Sequence, residues 1–169
     1  MSAFETTCRD LAGRMHHIDY SLKPIRDSKG RVRMLLAEGR DITDRKEMEE
    51  IVRESESNYR TIFEAVNDGI FIHDLKTGEI LDANLKGLEI FGFRLKSEIR
   101  GLAVDALTAD EPPYTTEQAM MYIKKAALEG PQIFVWPGKT KDNHRIWMEV
   151  SLKKMSLRKK ECIIAVVRD

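Results

Sequence analysis

The chain has 169 residues, 42% of them apolar and 33% charged, which is enough apolar material for one large domain, or one domain with a fragment of another. Its 28 basic residues balance 28 acidic ones, so the net charge is zero, and a general nucleic-acid or anionic-membrane binder, which needs a basic excess, is disfavoured. Two cysteines, Cys8 and Cys162, give neither a disulfide framework nor a zinc quartet. The longest apolar run, Cys162–Val167, is far shorter than the ~20 residues a membrane span needs. The expectation is a cytoplasmic chain with no secretory leader.

The first predicted element is a β-hairpin. Ile18, Tyr20 and Leu22 alternate with Asp19, Ser21 and Lys23, the period of a strand with one buried face. Asp27–Gly30 is a turn signal, and Arg31–Asp41 is the return strand. A helix follows, predicted over 44–60, with Asp41 or Thr43 at its start. Its apolar positions Met48, Val52, Tyr59, Ile62 and Val66, with Ser55 filling one vacant position, fall at alternating steps of four and three, a short coiled-coil stripe, and Glu49 and Arg53 form an i,i+4 pair.

Beyond it, Gly69–Asp74 and Glu79–Asn84 are strands joined by a turn ending at Gly78. Leu85–Phe91 is a short helix stopped by Gly92, and Ser97–Arg100 a helical turn stopped by Gly101. Thr115 and Gln118 make a capping box for a helix to Glu129, closed by Gly130-Pro131. Gln132–Trp136 is a strand ending at Pro137-Gly138. A second hairpin then repeats the first. Ser151-Leu-Lys153 matches Ser21-Leu-Lys23, Arg168-Asp169 matches Arg40-Asp41, and the second copy is two residues shorter at its turn. Cys162–Val167 reads as a central strand covered on both faces. The basic residues Lys153, Lys154, Arg158, Lys159 and Lys160 around the last turn read as a solvated hairpin, with no aromatic residues interleaved for nucleic-acid stacking.

The resulting fold class is α+β: a five-stranded antiparallel sheet with short helices on one face, preceded by a β-hairpin fragment and a linking helix. Asp68–Asn84, Gly87–Gly101 and Trp147–Leu152 resemble, in order, the opening hairpin, helical segment and fourth strand of PAS/PAC sensory domains, and Arg40-Asp-Ile-Thr-Asp-Arg-Lys46 resembles the exit through which such a domain enters a signalling helix. The resemblance implies three parts: the C-terminal strands of one PAS domain at 1–43, a signalling linker helix at 44–60, and a complete PAS domain at 58–169. It implies signal exits at Asp41, Ile42 and Thr43 and at Asp169, with Asp41 bonded to a basic group of its own domain. It also implies a larger prokaryotic sensor with a histidine kinase or cyclic-di-GMP synthase output, a homodimer through the linker helix, and an effector domain in the parent protein. A ligand-free dimerisation scaffold is the alternative.

A ligand pocket is expected among Ile70, Ile72, Asn84, Leu88, Phe91, Met120, Ile123, Phe134, Met148 and Val150. No metal site is expected. His16, His17, His73 and His144 read as surface or edge imidazoles, none on the Thr115–Glu129 helix where the family's haem ligand sits, so haem is not expected. Cys162 reads as a small buried hydrophobe, which disfavours a covalent flavin. Non-covalent FAD remains compatible through Trp136, Trp147 and Asn84. No nucleophile with a base, no phosphate loop and no catalytic motif is present, so no enzyme activity is expected.

Overall fold

The structure, a computed structural model, describes residues 2–157 and 159–168. Arg158 of the basic turn and Asp169 of the second exit lie outside the described residues. The chain divides into two compact units, one ending at Tyr59 and the other beginning at Arg60.

The first unit is a sheet of three strands rather than a hairpin: β1 (Ser2–Arg9), β2 (Met15–Arg26) and β3 (Val32–Asp41), antiparallel in that order. The additional strand, β1, carries only a weak polar–apolar alternation. It is held by its ladder to β2, from Ser2↔Leu22 to Arg9↔Met15. The intervening loop is set by Asp10, whose Oδ1 accepts from the backbone N–H of Ala12 (2.8 Å) and of Arg14 (2.9 Å). Asp27 does the same for Lys29 and Arg31 in the next turn.

Helix α1 (Thr43–Ala65) begins directly after β3 and runs five residues past the predicted end at 60. Neither glycine nor proline interrupts it before Gly69, and Phe63 gains a buried position near its end. The expected Glu49–Arg53 pair is replaced. Arg53 bonds Glu50 at 2.6 Å, and Glu49 lies 3.9 Å from Arg45. The two steps available to each side chain, i+3 and i+4, are equally reachable on a helix surface.

The second unit contains β4 (Gly69–Asp74), β5 (Ile80–Ala83), α2 (Leu85–Phe91), α3 (Lys96–Ile99), a 3-10 turn (Val104–Leu107), α4 (Thr116–Leu128), β6 (Gln132–Lys139), β7 (Arg145–Leu157) and β8 (Lys160–Arg168). Its five strands are all antiparallel, in the order β5-β4-β8-β7-β6, so the class is α+β. The helix limits follow from chemistry written in the sequence. Asn84 caps α2, Gly92 ends it at φ +76°, and the Thr115 hydroxyl accepts from the Gln118 N–H at 3.4 Å to start α4. Strand β6 does not stop at Trp136. Pro137 pairs with Trp147 and Gly138 with Ile146, a placement open to proline because β6 is an edge strand.

The repeat extends over three strands. Ser2↔Leu22 corresponds to Gln132↔Leu152, Arg9↔Met15 to Lys139↔Arg145, and Asp19↔Arg40 to Glu149↔Arg168. The β1–β2 and β6–β7 loops share one design. Asp10 N–H bonds the Arg14 carbonyl as Thr140 N–H bonds that of His144, and the positive φ falls on Gly13 in one and Asn143 in the other. The missing residues come out of the β2–β3 turn alone.

The second unit has apolar packing on both sides of its sheet. Phe71, Ile163, Ala165 and Val167 face the helices, with Phe91, Ile123 and Ile99. Ile70, Ile72 and Cys162 form a smaller cluster on the other side, closed by Phe63 and Val66. Strand β8 is thus covered on both faces, and burial pushes the Cys162 thiol pKa up.

Candidate functional site

A cavity of about 70 Å³ lies between the sheet and the helices of the second unit. One water needs ~10–15 Å³ on the same measure, so there is room for roughly five water-sized groups. Strand β4 contributes Phe71 and His73, α4 contributes Ala119 and Ile123, and the 3-10 turn brings Val104 and Leu107, followed by Thr108. Phe134 and Trp136 of β6, Met148, Val150 and Leu152 of β7, Ala165 and Val167 of β8, and Phe91 of α2 complete the lining. Among the described residues no carboxylate, lysine or arginine lines it.

Packing around the space is aromatic. Tyr122 stacks on Phe134 at 3.9 Å, and Trp136 meets Phe134 and Tyr114 edge-on at 5.7 and 5.4 Å. Phe71 meets Phe91 edge-on at 5.4 Å. Gly87 is what admits this: a Cβ there would stand 2.9 Å from the Phe71 ring.

Of the expected pocket residues, the structure brings Phe91, Ile123, Phe134, Met148 and Val150 to this cavity. Leu88 and Met120 belong to the same core without lining it. Ile70 and Ile72 point to the opposite side, against Phe63 and Cys162. Strand β4 is apolar in both parities and covered on both faces, so alternation alone does not choose between them. Asn84 is not a pocket group either. Its Oδ1 accepts from the N–H groups of Ile70 and Gly87, each at 2.8 Å, and its Nδ2 donates to the Asp68 carbonyl at 3.0 Å. Asn84, Trp136 and Trp147 therefore do not converge as a flavin site: the amide is tied to the backbone of Ile70, Gly87 and Asp68, and Trp147 is half-exposed beneath Arg145, 4.7 Å from its ring centroid.

The surface reading of His73 is corrected. His73 is buried, 4% exposed, and Nδ1 stands 3.1 Å from the Gly78 carbonyl. Burial lowers its pKa, against the weaker opposing effect of that bond, so the ring is neutral at pH 7. A carbonyl only accepts, so Nδ1 carries the proton and Nε2 is left as an acceptor.

His16 is a bridge. Its Nδ1 lies 2.8 Å from Asp41 Oδ2 and its Nε2 3.4 Å from Asp10 Oδ2, and these two bonds raise its pKa, with Asp41 contributing more. Asp41 also accepts from the Thr43 hydroxyl (2.6 Å) and backbone N–H (2.9 Å); these bonds first, and His16 after them, hold its carboxyl at about 2. Thr43 Oγ1 in turn accepts from the His17 N–H at 2.9 Å, and Ile42, 7% exposed, donates its N–H to the His17 carbonyl. The end of β3 is thereby tied to β2 at the point where α1 begins.

Two profiles described as PAS domain match the chain, one over residues 57–122 and one over 2–44, and together they cover well over half of it. A PAS domain of an HTR-like protein from Haloarcula marismortui superposes with a TM-score of 0.64 at 21% identity, over 73% of this chain and 98% of that one. The chain belongs to the PAS domain family. A domain of a sensory box sensor histidine kinase/response regulator from Geobacter sulfurreducens shares the PAS fold, with a TM-score of 0.56 at 22% identity over 70% of this chain and 96% of the other. A curated relative, a methyl sulfide methyltransferase-associated sensor from Methanosarcina acetivorans, is 29% identical over 118 residues, 70% of this chain. The chain spans only 11% of that relative's length. PAS domains are sensory rather than catalytic modules, and signal transduction is the general role of this one.

Among the described residues no helix is long and apolar enough to cross a membrane. Helix α1 presents Met48, Ile51, Val52 and Ile62 to solvent, each more than half exposed.

Proposed function

We propose that this chain is the tandem PAS segment of a larger prokaryotic sensor. Residues 1–43 are the closing strands of a first PAS domain, α1 is the signalling helix, and 58–169 is a second PAS domain that takes a small ligand in the cavity beneath Phe71 and His73. The apolar space between sheet and helices carries the reading: it is a preformed site for a small guest. Ile70, Ile72, Asn84, Leu88 and Met120 support its walls rather than touch the ligand. Asp41, Ile42 and Thr43 form the exit of the first domain, and Asp169 is proposed as the equivalent exit of the second. The output is a histidine kinase or a cyclic-di-GMP synthase in the parent protein.

Relay through α1 requires a partner helix. The exposed Met48, Ile51, Val52 and Ile62 give it an apolar seam, which favours a homodimer. Sedimentation equilibrium of the whole chain tests this: wild type is dimeric and Val52→Glu is monomeric. A wild-type monomer at high concentration refutes the helix pairing. Native mass spectrometry tests the sensing role. A mass surplus over the bare chain supports it, and a bare dimer that takes up no small molecule points to a ligand-free scaffold.

A further inference from the structure

The cavity of the second unit has one feature that narrows what it accepts, and the inference rests on the ligand-sensing reading above. Thirteen of its fifteen lining side chains are apolar or aromatic, and the other two are His73 and Thr108. The Thr108 hydroxyl is already committed as a donor to the Val104 carbonyl at 3.0 Å. His73 uses Nδ1 on the Gly78 carbonyl, and no hydrogen bond is made by its Nε2 among the described residues. Gly78 ends the β4–β5 turn, so the turn itself dictates which ring nitrogen holds the proton. The β4–β5 ladder shifts register between Ile72 and His73, a local irregularity beside the ring.

We propose that the second PAS unit binds a small, uncharged, largely apolar molecule carrying one O–H, N–H or S–H group, and that this group donates to Nε2 of His73. The apolar wall provides most of the contact. The unpaired acceptor gives the orientation. Anions are rejected because no cation among the described residues lines the space and a buried charge without a partner is strongly disfavoured. Size restricts the guest to a few non-hydrogen atoms.

Isopropanol, acetone and acetate are matched in size and differ in hydrogen-bonding character and, for acetate, in charge, so they serve as probes. Each is titrated into the whole chain while the methyl groups of Ala119, Val150 and Ala165 are followed by NMR. Isopropanol is expected to shift them saturably, roughly two- to tenfold more tightly than acetone, the range of one net hydrogen bond. Acetate is expected to leave them unmoved. In His73→Phe the preference for isopropanol over acetone disappears while acetone binding persists. Nitrogen-15 spectra of the wild-type ring, which need no variant, are expected to show Nδ1 protonated and Nε2 bare at neutral pH.

Equal affinity for isopropanol and acetone, tight acetate binding, an unchanged preference in a folded His73→Phe, or a proton on Nε2 overturns the ligand class and leaves the sensing role standing. Absence of saturable shifts with all three probes overturns both.

Discussion

Replacing Asn84 by alanine tests how the second unit is assembled. The side chain is 0% exposed and joins three backbone groups from separate elements: the N–H of Ile70 in β4, the N–H of Gly87 in α2 and the carbonyl of Asp68. Truncation leaves two buried N–H groups without their acceptor, each costing about 1–3 kcal/mol. The Gly87 bond is also the α2 cap, so its loss is not counted again. The expected destabilisation is about 3–5 kcal/mol, a large part of the ~5–15 kcal/mol that holds a typical domain together. With a urea slope of about 2 kcal/mol per molar, the midpoint falls by about 2 M. Both tryptophans, Trp136 and Trp147, lie in the second unit, so their fluorescence reports its unfolding alone in the whole chain. Asn84→Asp keeps an acceptor for both N–H groups but sets a buried carboxylate oxygen against the Asp68 carbonyl, so it too should be destabilised relative to wild type. An Asn84→Ala midpoint within ~0.5 M of wild type, about 1 kcal/mol on that slope, would refute the view that this amide staples β4 to α2.

Two further outcomes follow from other contacts. The His16 pKa is raised, so its bonds to Asp41 and Asp10 stabilise fully below the unfolded value of about 6.5 and weaken as pH climbs through the folded pKa. Asp41 is depressed, so its contribution is present above about 3.9 and lost as pH falls through about 2. Amide exchange at Thr43 should therefore be slowest between those limits and speed up on the alkaline side, and Asp41→Asn should lower the His16 titration midpoint; an unmoved midpoint rules the bridge out. Phe63→Ala removes the largest side chain closing the outer cluster over Ile70, Ile72 and Cys162, and should cost about 3–5 kcal/mol by the same fluorescence assay. A loss under ~1 kcal/mol would mean that the end of α1 does not cover the sheet in solution.

Much of the second unit was legible in the sequence because its punctuation is chemical. Asn84, Gly92, Thr115 and the Gly130-Pro131 pair mark their element limits by capping and by backbone freedom, which act within a few residues. The repeated Ser-Leu-Lys and Arg-Asp anchors matched one hairpin to the other. What escaped was tertiary. β1 has little pattern of its own and exists through its ladder to β2. The inward parity of β4 was undetermined, because Ile70, Phe71 and Ile72 offer apolar side chains to both faces. His73 was misplaced with it, since its burial follows from the same parity. Phe63 lies off the regular stripe of α1, so a heptad count passes over the residue that anchors the helix.

Strand β8 joins these features. Ala165 and Val167 form part of the cavity floor, while Cys162, one step out of phase, lies under Phe63. A guest that lifts the floor and the helix that rests on the roof therefore share a single thickness of backbone, and no side-chain relay has to be threaded between them. The stiffness of that one ribbon sets how much of a displacement on one side is felt on the other.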